Sequence, residues 1–234
     1  MKQKIEDLIK EKVLIIDGAM GTQLQACEIE KEFWQFENKD LEGCNELLNI
    51  TAPHILETIY ENYAISGANF ISTNTFGSMP WVLEDYEIGH MSYELSKLAA
   101  SSAKKICEKY HTKDEPKFVL ASIGPGTKLP SLGHITYDSM YEGYKTMASG
   151  LVDGGTDVFL LETCQDPLQI KAALHALNDV APNIPIMVSV TIELNGTMLI
   201  GTDALTIAAI LKPFNILSLG FNCGTGPIQV QKHV

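Results

Sequence analysis

The chain has 234 residues, 45% of them apolar and 20% charged, which suits one large globular domain with a sizeable core. Its formal net charge of -12 is spread along the sequence, and an acidic surface repels phosphate backbones, so nucleic acid is excluded as a partner. No apolar run reaches the roughly 20 residues a bilayer requires, and the mixed-charge opening MKQKIEDLIKEK has no apolar signal core, so no membrane is expected and the cytoplasm is the default compartment.

Six short, apolar, β-branched segments read as buried parallel strands with amphipathic helices between them. The first strand spans Val13–Asp17. A helix over Ala52–Ser66 follows, with Ile55, Ile59 and Tyr63 on one stripe, Thr51 as N-cap and Pro53 in the first turn. Strand two, Asn69–Thr73, precedes a helix over Met91–Tyr110 that carries Leu95, Leu98, Ser102 and Ile106. Strand three, Phe118–Ile123, precedes a helix over Ser139–Asp153 with Met140, Tyr144, Met147 and Leu151 on one face, ended by Gly154-Gly155. Strand four, Val158–Glu162, leads through the N-cap Asp166 into a helix over Pro167–Asn178. Strand five, Ile186–Thr191, leads through Asp203 into a helix over Ala204–Lys212. Strand six spans Ile216–Cys223.

Such alternation implies an α/β fold with a parallel sheet and right-handed crossovers. An open doubly wound sheet and a (β/α)8 barrel both fit. Asp17, Thr73, Glu162 and Cys223 sit at the C-terminal ends of four strands, and only a barrel brings those ends to one mouth. The expected fold is therefore a (β/α)8 TIM-barrel type, truncated after about six strand–helix units against the eight needed for closure. It forms one domain over 1–234, C-terminally incomplete.

Five stretches carry candidate chemistry. In Ile16-Asp17-Gly18-Ala19-Met20-Gly21 the carboxylate suits a ligand ammonium and the glycine amides suit a carboxylate, a pair of contacts that reads an α-amino acid. A turn in which Asp17 caps the next helix explains the same residues. Gly67-Ala68-Asn69-Phe70-Ile71-Ser72-Thr73-Asn74-Thr75-Phe76-Gly77 ends in hydroxyl and amide groups that suit a small polar ligand, or cap their own loop. The glycine-rich run Ser122-Ile123-Gly124-Pro125-Gly126-Thr127-Lys128-Leu129-Pro130-Ser131-Leu132-Gly133-His134 lacks phosphate-loop spacing and reads as a rigid loop over the mouth, with His134 as a loop residue. Glu162, closing the apolar strand Leu160-Leu161, needs a partner for its charge, which a bound ammonium or a structural donor could supply. Cys223, before Gly224, is a zinc thiolate or a buried free thiol. The five cysteines, Cys27, Cys44, Cys107, Cys164 and Cys223, are odd in number and contain no CxxC pair, so neither a disulfide scaffold nor a zinc finger is expected. No strand end offers a lysine for Schiff-base chemistry.

Taken in order, these stretches resemble the homocysteine-binding domain (homocysteine S-methyltransferase) family. The runs Glu46-Leu47-Leu48-Asn49-Ile50-Thr51-Ala52-Pro53, Ile123-Gly124-Pro125-Gly126-Thr127-Lys128-Leu129-Pro130-Ser131-Leu132-Gly133-His134 and Leu161-Glu162-Thr163-Cys164-Gln165-Asp166 are most similar to its cobalamin-dependent methionine synthase branch, with a betaine- or S-methylmethionine-type methyltransferase as the alternative. The resemblance implies a (β/α)8 barrel that binds homocysteine through Asp17, Gly18, Thr73, Asn74 and Glu162, with Asp17 and Glu162 as the catalytic acids. It implies zinc held by Cys223 and two further cysteines from a Gly-Gly-Cys-Cys stretch that this sequence lacks. It also implies methylcobalamin carried on another domain or chain, with the cobalamin and folate domains of a methionine synthase as partners. With one zinc thiolate, the isolated chain is expected to turn over poorly unless a partner chain supplies the remaining strands.

Overall fold

A computed structural model describes residues 5–233, so the opening stretch is described only from Ile5, and Met1–Lys4 and Val234 lie outside it. Five parallel strands form one sheet: β1 (Phe70–Ser72), β2 (Phe118–Ile123), β3 (Val158–Cys164), β4 (Ile186–Val190) and β5 (Ser218–Phe221). Each strand pairs with its sequence neighbour, through Ile71 opposite Val119, Ala121 opposite Phe159, Leu161 opposite Val188, and Ser189 opposite Gly220. This order has no reversal point, which a doubly wound sheet requires. Five helices accompany the strands: α1 (Pro53–Ile65) before β1, then α2 (Ser92–Tyr110), α3 (Tyr137–Asp153), α4 (Pro167–Val180) and α5 (Ala204–Leu211) in the successive crossovers.

The strand expected over Val13–Asp17 is reduced to a single bridge, Ile16 opposite Phe70. Backbone bonds from Asn69 and Phe70 to the Ile15 carbonyl, and from Asp17 to Phe70, still tie it alongside β1. Val13 is 88% exposed. The segment pairs with β1 on one flank alone among the described residues, and a one-sided strand forms few ladder bonds. A short antiparallel pair, Gln35–Phe36 with Lys39–Asp40, precedes α1.

Alternation along the strands divides the core into two layers. Phe70, Phe118, Leu120, Val158 and Leu160 point inward, where Ile5 and Leu8 of the first helical turns pack against them. Ala121, Ile123, Phe159, Leu161, Ile186 and Val188 point outward and pack under α3 and α4. Ile71 and Val119 do the same under α1 and α2. All six residues of β2 are buried, and each large apolar side chain so placed stabilises the fold by about 1.5–3 kcal/mol.

Local signals set most boundaries. Asp166 accepts the Leu168 amide and Asp203 the Thr206 amide, so both cap their helices as expected. Gly154 ends α3, and Gly155 continues at φ +97, a conformation that favours glycine. Thr51 does not cap α1: its hydroxyl donates back to the Leu47 carbonyl within a preceding helical turn, and Ala52 takes the cap position with no side-chain bond. Helices α2 and α3 pack closely at Gly150, where a methyl group would overlap the Tyr93 carbonyl oxygen. Gly150→Ala is therefore expected to cost about 1–3 kcal/mol by overpacking, read as a lower denaturant midpoint at unchanged slope.

Candidate active site

The C-terminal ends of the strands and the loops beyond them enclose a cavity of about 330 Å³. Two acids face it. Asp17 follows the bridging Ile16 and accepts both the Ser72 amide (2.7 Å) and the Ser72 hydroxyl (2.6 Å). Glu162, near the end of β3, accepts the Ser122 hydroxyl from β2 (2.5 Å). Each acid is thus held by a serine of the adjacent strand. The remaining wall includes Gly18, Thr73, Asn74, Phe76 and Leu160, and among the described residues no lysine, arginine or histidine lines the cavity.

Burial pushes the Asp17 carboxyl up to about 6, with the Ser72 hydrogen bonds opposing and the Glu162 charge adding to the rise. Burial also raises Glu162, opposed by the Ser122 hydroxyl. Two acids that resist ionisation in one cavity attract a cationic group, because a bound positive charge relieves both. The sign of the pH dependence follows. Asp17 has a folded value above its ordinary 3.8, so the ligand-free protein loses stability as pH rises from that value through about 6. An ammonium ligand needs the ionised form. Its affinity should rise between about pH 5 and about pH 7.5, measured calorimetrically; a flat profile would remove Asp17 from the contact.

The other expected contacts share this mouth but are partly committed to one another. The Thr75 hydroxyl donates to the Ser122 carbonyl (2.7 Å), so the Thr73 hydroxyl donates to Thr75 Oγ1 (2.6 Å) while accepting the Ser122 amide (3.1 Å). One Thr73 lone pair remains for a ligand. The Asn74 side chain donates to the Asn45 carbonyl (2.8 Å), and its backbone is gripped by Tyr60 and Asn49. Gly18 is needed for close approach as well: a Cβ there would sit 2.7 Å from Tyr63 Oη.

Beyond Glu162 the chain turns sharply. Thr163 has φ +59, a conformation that costs a β-branched residue on the order of 1–3 kcal/mol. Asn222 accepts the Thr163 amide (2.9 Å) and donates to its hydroxyl (2.8 Å), holding the turn. Cys223 is exposed, and its sulfur lies 3.8 Å from Thr163 Oγ1. The turn therefore brings Cys223 next to the residue that follows Glu162. Cys164 and Cys44 are buried, and burial raises the Cys164 thiol above its ordinary range and pushes Cys44 up to about 12, so neither is a ready thiolate. Among the described residues no group of three or more His, Cys, Asp or Glu side chains gathers to hold a metal ion. A tetrahedral zinc centre needs three such donors, so the donor set present does not complete one. His134 accepts the Leu129 amide through its ring, closing its own loop.

Sequence reasoning left Ser72 and Ser122 as unassigned members of candidate stretches and did not single out Asn222. The first two stand one strand away from the acids they hold, and a serine inside an apolar run such as Leu120-Ala121-Ser122-Ile123 was the available signal.

The sequence profile of the homocysteine S-methyltransferase family matches residues 14–234. The chain is 40% identical to the methionine synthase of Mycobacterium tuberculosis and 41% identical to that of Mycobacterium leprae, in each case over 97% of this chain and 19% of the relative. It thus spans about a fifth of the length of these curated relatives. Among solved structures it resembles the metallated form of the homocysteine methyltransferase MmuM from Escherichia coli, with a TM-score of 0.77 at 20% identity over 93% of this chain and 77% of that one. The apo form of the same protein gives a TM-score of 0.70 at 21% identity, over 92% and 74% of the two chains. At such identity the structural likeness is one of fold. The profile match over nearly the whole chain, with relatives this similar, places the protein: it belongs to the homocysteine S-methyltransferase family.

Proposed function

We propose that the chain is the homocysteine-binding part of a methionine synthase, which accepts a methyl group on the homocysteine sulfur to give methionine. The observation that carries this reading is the pair of serine-held acids, Asp17 and Glu162, in one cavity without a cation, with Cys223 tethered beside Glu162 through Thr163. The acids grip the substrate ammonium. Backbone amides of the turn from Gly18 face its carboxylate, and Thr73 and Asn74 border the rest of the ligand. The apolar Leu160 and Ile16 side chains flank the methylene arm and keep water from it. The fold we read is a (β/α)8 barrel, of which the described residues supply five strands and the bridging segment at Ile16.

The reading implies zinc, which activates a thiol by binding it as thiolate, and methylcobalamin on another domain or chain. Cys223 is the residue with the chemistry and place for one zinc thiolate. Because the set around it is incomplete among the described residues, its part here is to stand where the substrate sulfur arrives. Cobalamin and folate domains of a methionine synthase, in another chain or elsewhere in a longer one, are the partners this reading calls for. No helix among the described residues is long and apolar enough to cross a membrane, and we place the protein in the cytoplasm. Calorimetry with homocysteine and with 4-mercaptobutanoate tests the reading. Homocysteine should bind and its amine-free analogue should not. Equal binding, or none of either, would sink it.

A further inference from the structure

One side chain joins the two halves of the site from an adjoining cavity, which it lines together with Ile16, Leu160 and Glu162. Asn222 follows β5 and packs against the end of β3. Its Oδ1 accepts the Thr163 amide (2.9 Å) and the Ser189 hydroxyl (2.6 Å). Its Nδ2 donates to Thr163 Oγ1 (2.8 Å) and to Cys223 Sγ (3.4 Å). A carboxamide has two donor hydrogens and two acceptor lone pairs, and all four are used. The Asn222 backbone is fixed as well, its amide donating to the Val190 carbonyl (3.2 Å) and its carbonyl accepting the Thr191 hydroxyl (3.1 Å). The ends of β3, β4 and β5 therefore meet on one residue.

What this residue controls is visible in the alternation of β3. Val158 and Leu160 point inward, and Glu162 continues that face into the cavity. Phe159 and Leu161 point outward. A regular strand would put Cys164 on the inward face with Glu162. Instead Cys164 is buried in the outward cluster, and the pairing of β3 with β4 shifts register between Leu161 and Cys164. The left-handed Thr163 is the residue inserted at that shift. It makes Glu162 the last inward side chain of β3 and swings the chain towards Cys223.

We propose that Asn222 is a positioning residue: its carboxamide holds Thr163 in the left-handed turn and Cys223 beside that turn, so that Glu162 and Cys223 address one amino-thiol ligand. The inference rests on the amino-thiol reading above.

Disulfide exchange at Cys223 tests it on the full chain. The Cys223 thiolate attacks homocystine, the S–S bond of homocystine breaks, a new S–S bond forms between Cys223 and one homocysteine, and the other homocysteine leaves as its thiolate. The amine-free disulfide 4,4′-dithiodibutanoate undergoes the same exchange without an ammonium for Glu162 to hold. Peptide mass spectrometry reads both rates at Cys223. In the wild type, homocystine should react roughly tenfold faster or more, since the amine grip raises the effective concentration of the disulfide. Asn222→Ala should bring the ratio close to one. Should that variant fail to fold, Asn222→Asp decides: it keeps the acceptor for Thr163 and Ser189 but loses both donor bonds, and its ratio should fall at least threefold. A role in stability alone would lower the melting midpoint and leave the ratio of the folded protein unchanged. A folded Asn222 variant with the wild-type ratio overturns the inference. A wild type without preference overturns the amino-thiol reading, and this inference with it, whereas preference lost in Glu162→Gln and kept in the Asn222 variants overturns the inference alone.

Discussion

Glu162→Gln should weaken homocysteine binding at least about 30-fold and make the protein more stable. The two effects have one origin. Glu162 is a carboxylate at the end of an apolar strand, held among the described residues by one donor, the Ser122 hydroxyl, with no cation lining its cavity. Burial raises its carboxyl above the ordinary 4.5, so the folded protein resists the charge that neutral pH imposes. Glutamine has the same shape, can still accept from Ser122, and carries no charge. Stability should therefore rise in the variant at neutral pH. The gain should vanish as pH falls towards the ordinary carboxylate range, where Glu162 is protonated and resembles glutamine. Binding moves the other way. Removing one partner of a buried charged pair costs about 2–5 kcal/mol, and each 1.4 kcal/mol is tenfold in affinity, so homocysteine should bind at least about 30-fold more weakly. Calorimetric titration and urea melts at acid and neutral pH check both halves. A variant that binds as tightly as the wild type would mean that Glu162 meets no ammonium.

The strands and the chemistry of their ends were legible because each signal is local. Apolar runs mark β2 and β3, while Asp166 and Asp203 announce the helices they cap. A charged residue closing an apolar strand needs a reason, which drew attention to Glu162. Pairing across strands was not legible. Ser122 reaches Glu162 because β2 and β3 align Ser122 with Leu160, two residues before the acid. Ser72 reaches Asp17 because Ile16 bridges Phe70. Register is a tertiary property, set by which faces bury, and a serine in a strand looks like any other polar interruption. The turn at Thr163 was hidden for a related reason. A threonine at positive φ contradicts its own preference, and the side chain that holds it lies 59 residues away. Val13–Asp17 has the composition of a strand and still forms one bridge, because composition does not supply the neighbour that a ladder needs.

Asp166→Ala should have the opposite signature to the Glu162 variant, a large loss of stability. Asp166 is fully buried, yet every contact it makes is a donor. It accepts the Leu168 amide as cap of α4 (2.8 Å), and it accepts both the amide (2.9 Å) and the hydroxyl (2.7 Å) of Ser131. The sequence announced only the cap. The Ser131 contacts make the same carboxylate a latch for the loop from Gly124 to His134, which is anchored at its start by the Tyr144 hydroxyl on the Gly124 carbonyl (3.2 Å). Alanine loses a cap worth about 1 kcal/mol and charge-assisted bonds worth about 1.5–3 kcal/mol. The combined loss of about 2–4 kcal/mol corresponds to a melting midpoint lower by about 5–15 °C for a chain of this size. Asp166→Asn should lose about half as much, since its oxygen still caps α4 and accepts the Ser131 hydroxyl while its amide nitrogen meets the Ser131 amide, another donor. Homocysteine affinity should fall only severalfold in either variant, because the acids that grip the ligand stay in place. Two carboxylates four residues apart would then have been told apart by physics alone: one is stabilised by its neighbours and holds the scaffold, the other is left short of partners and waits for a ligand.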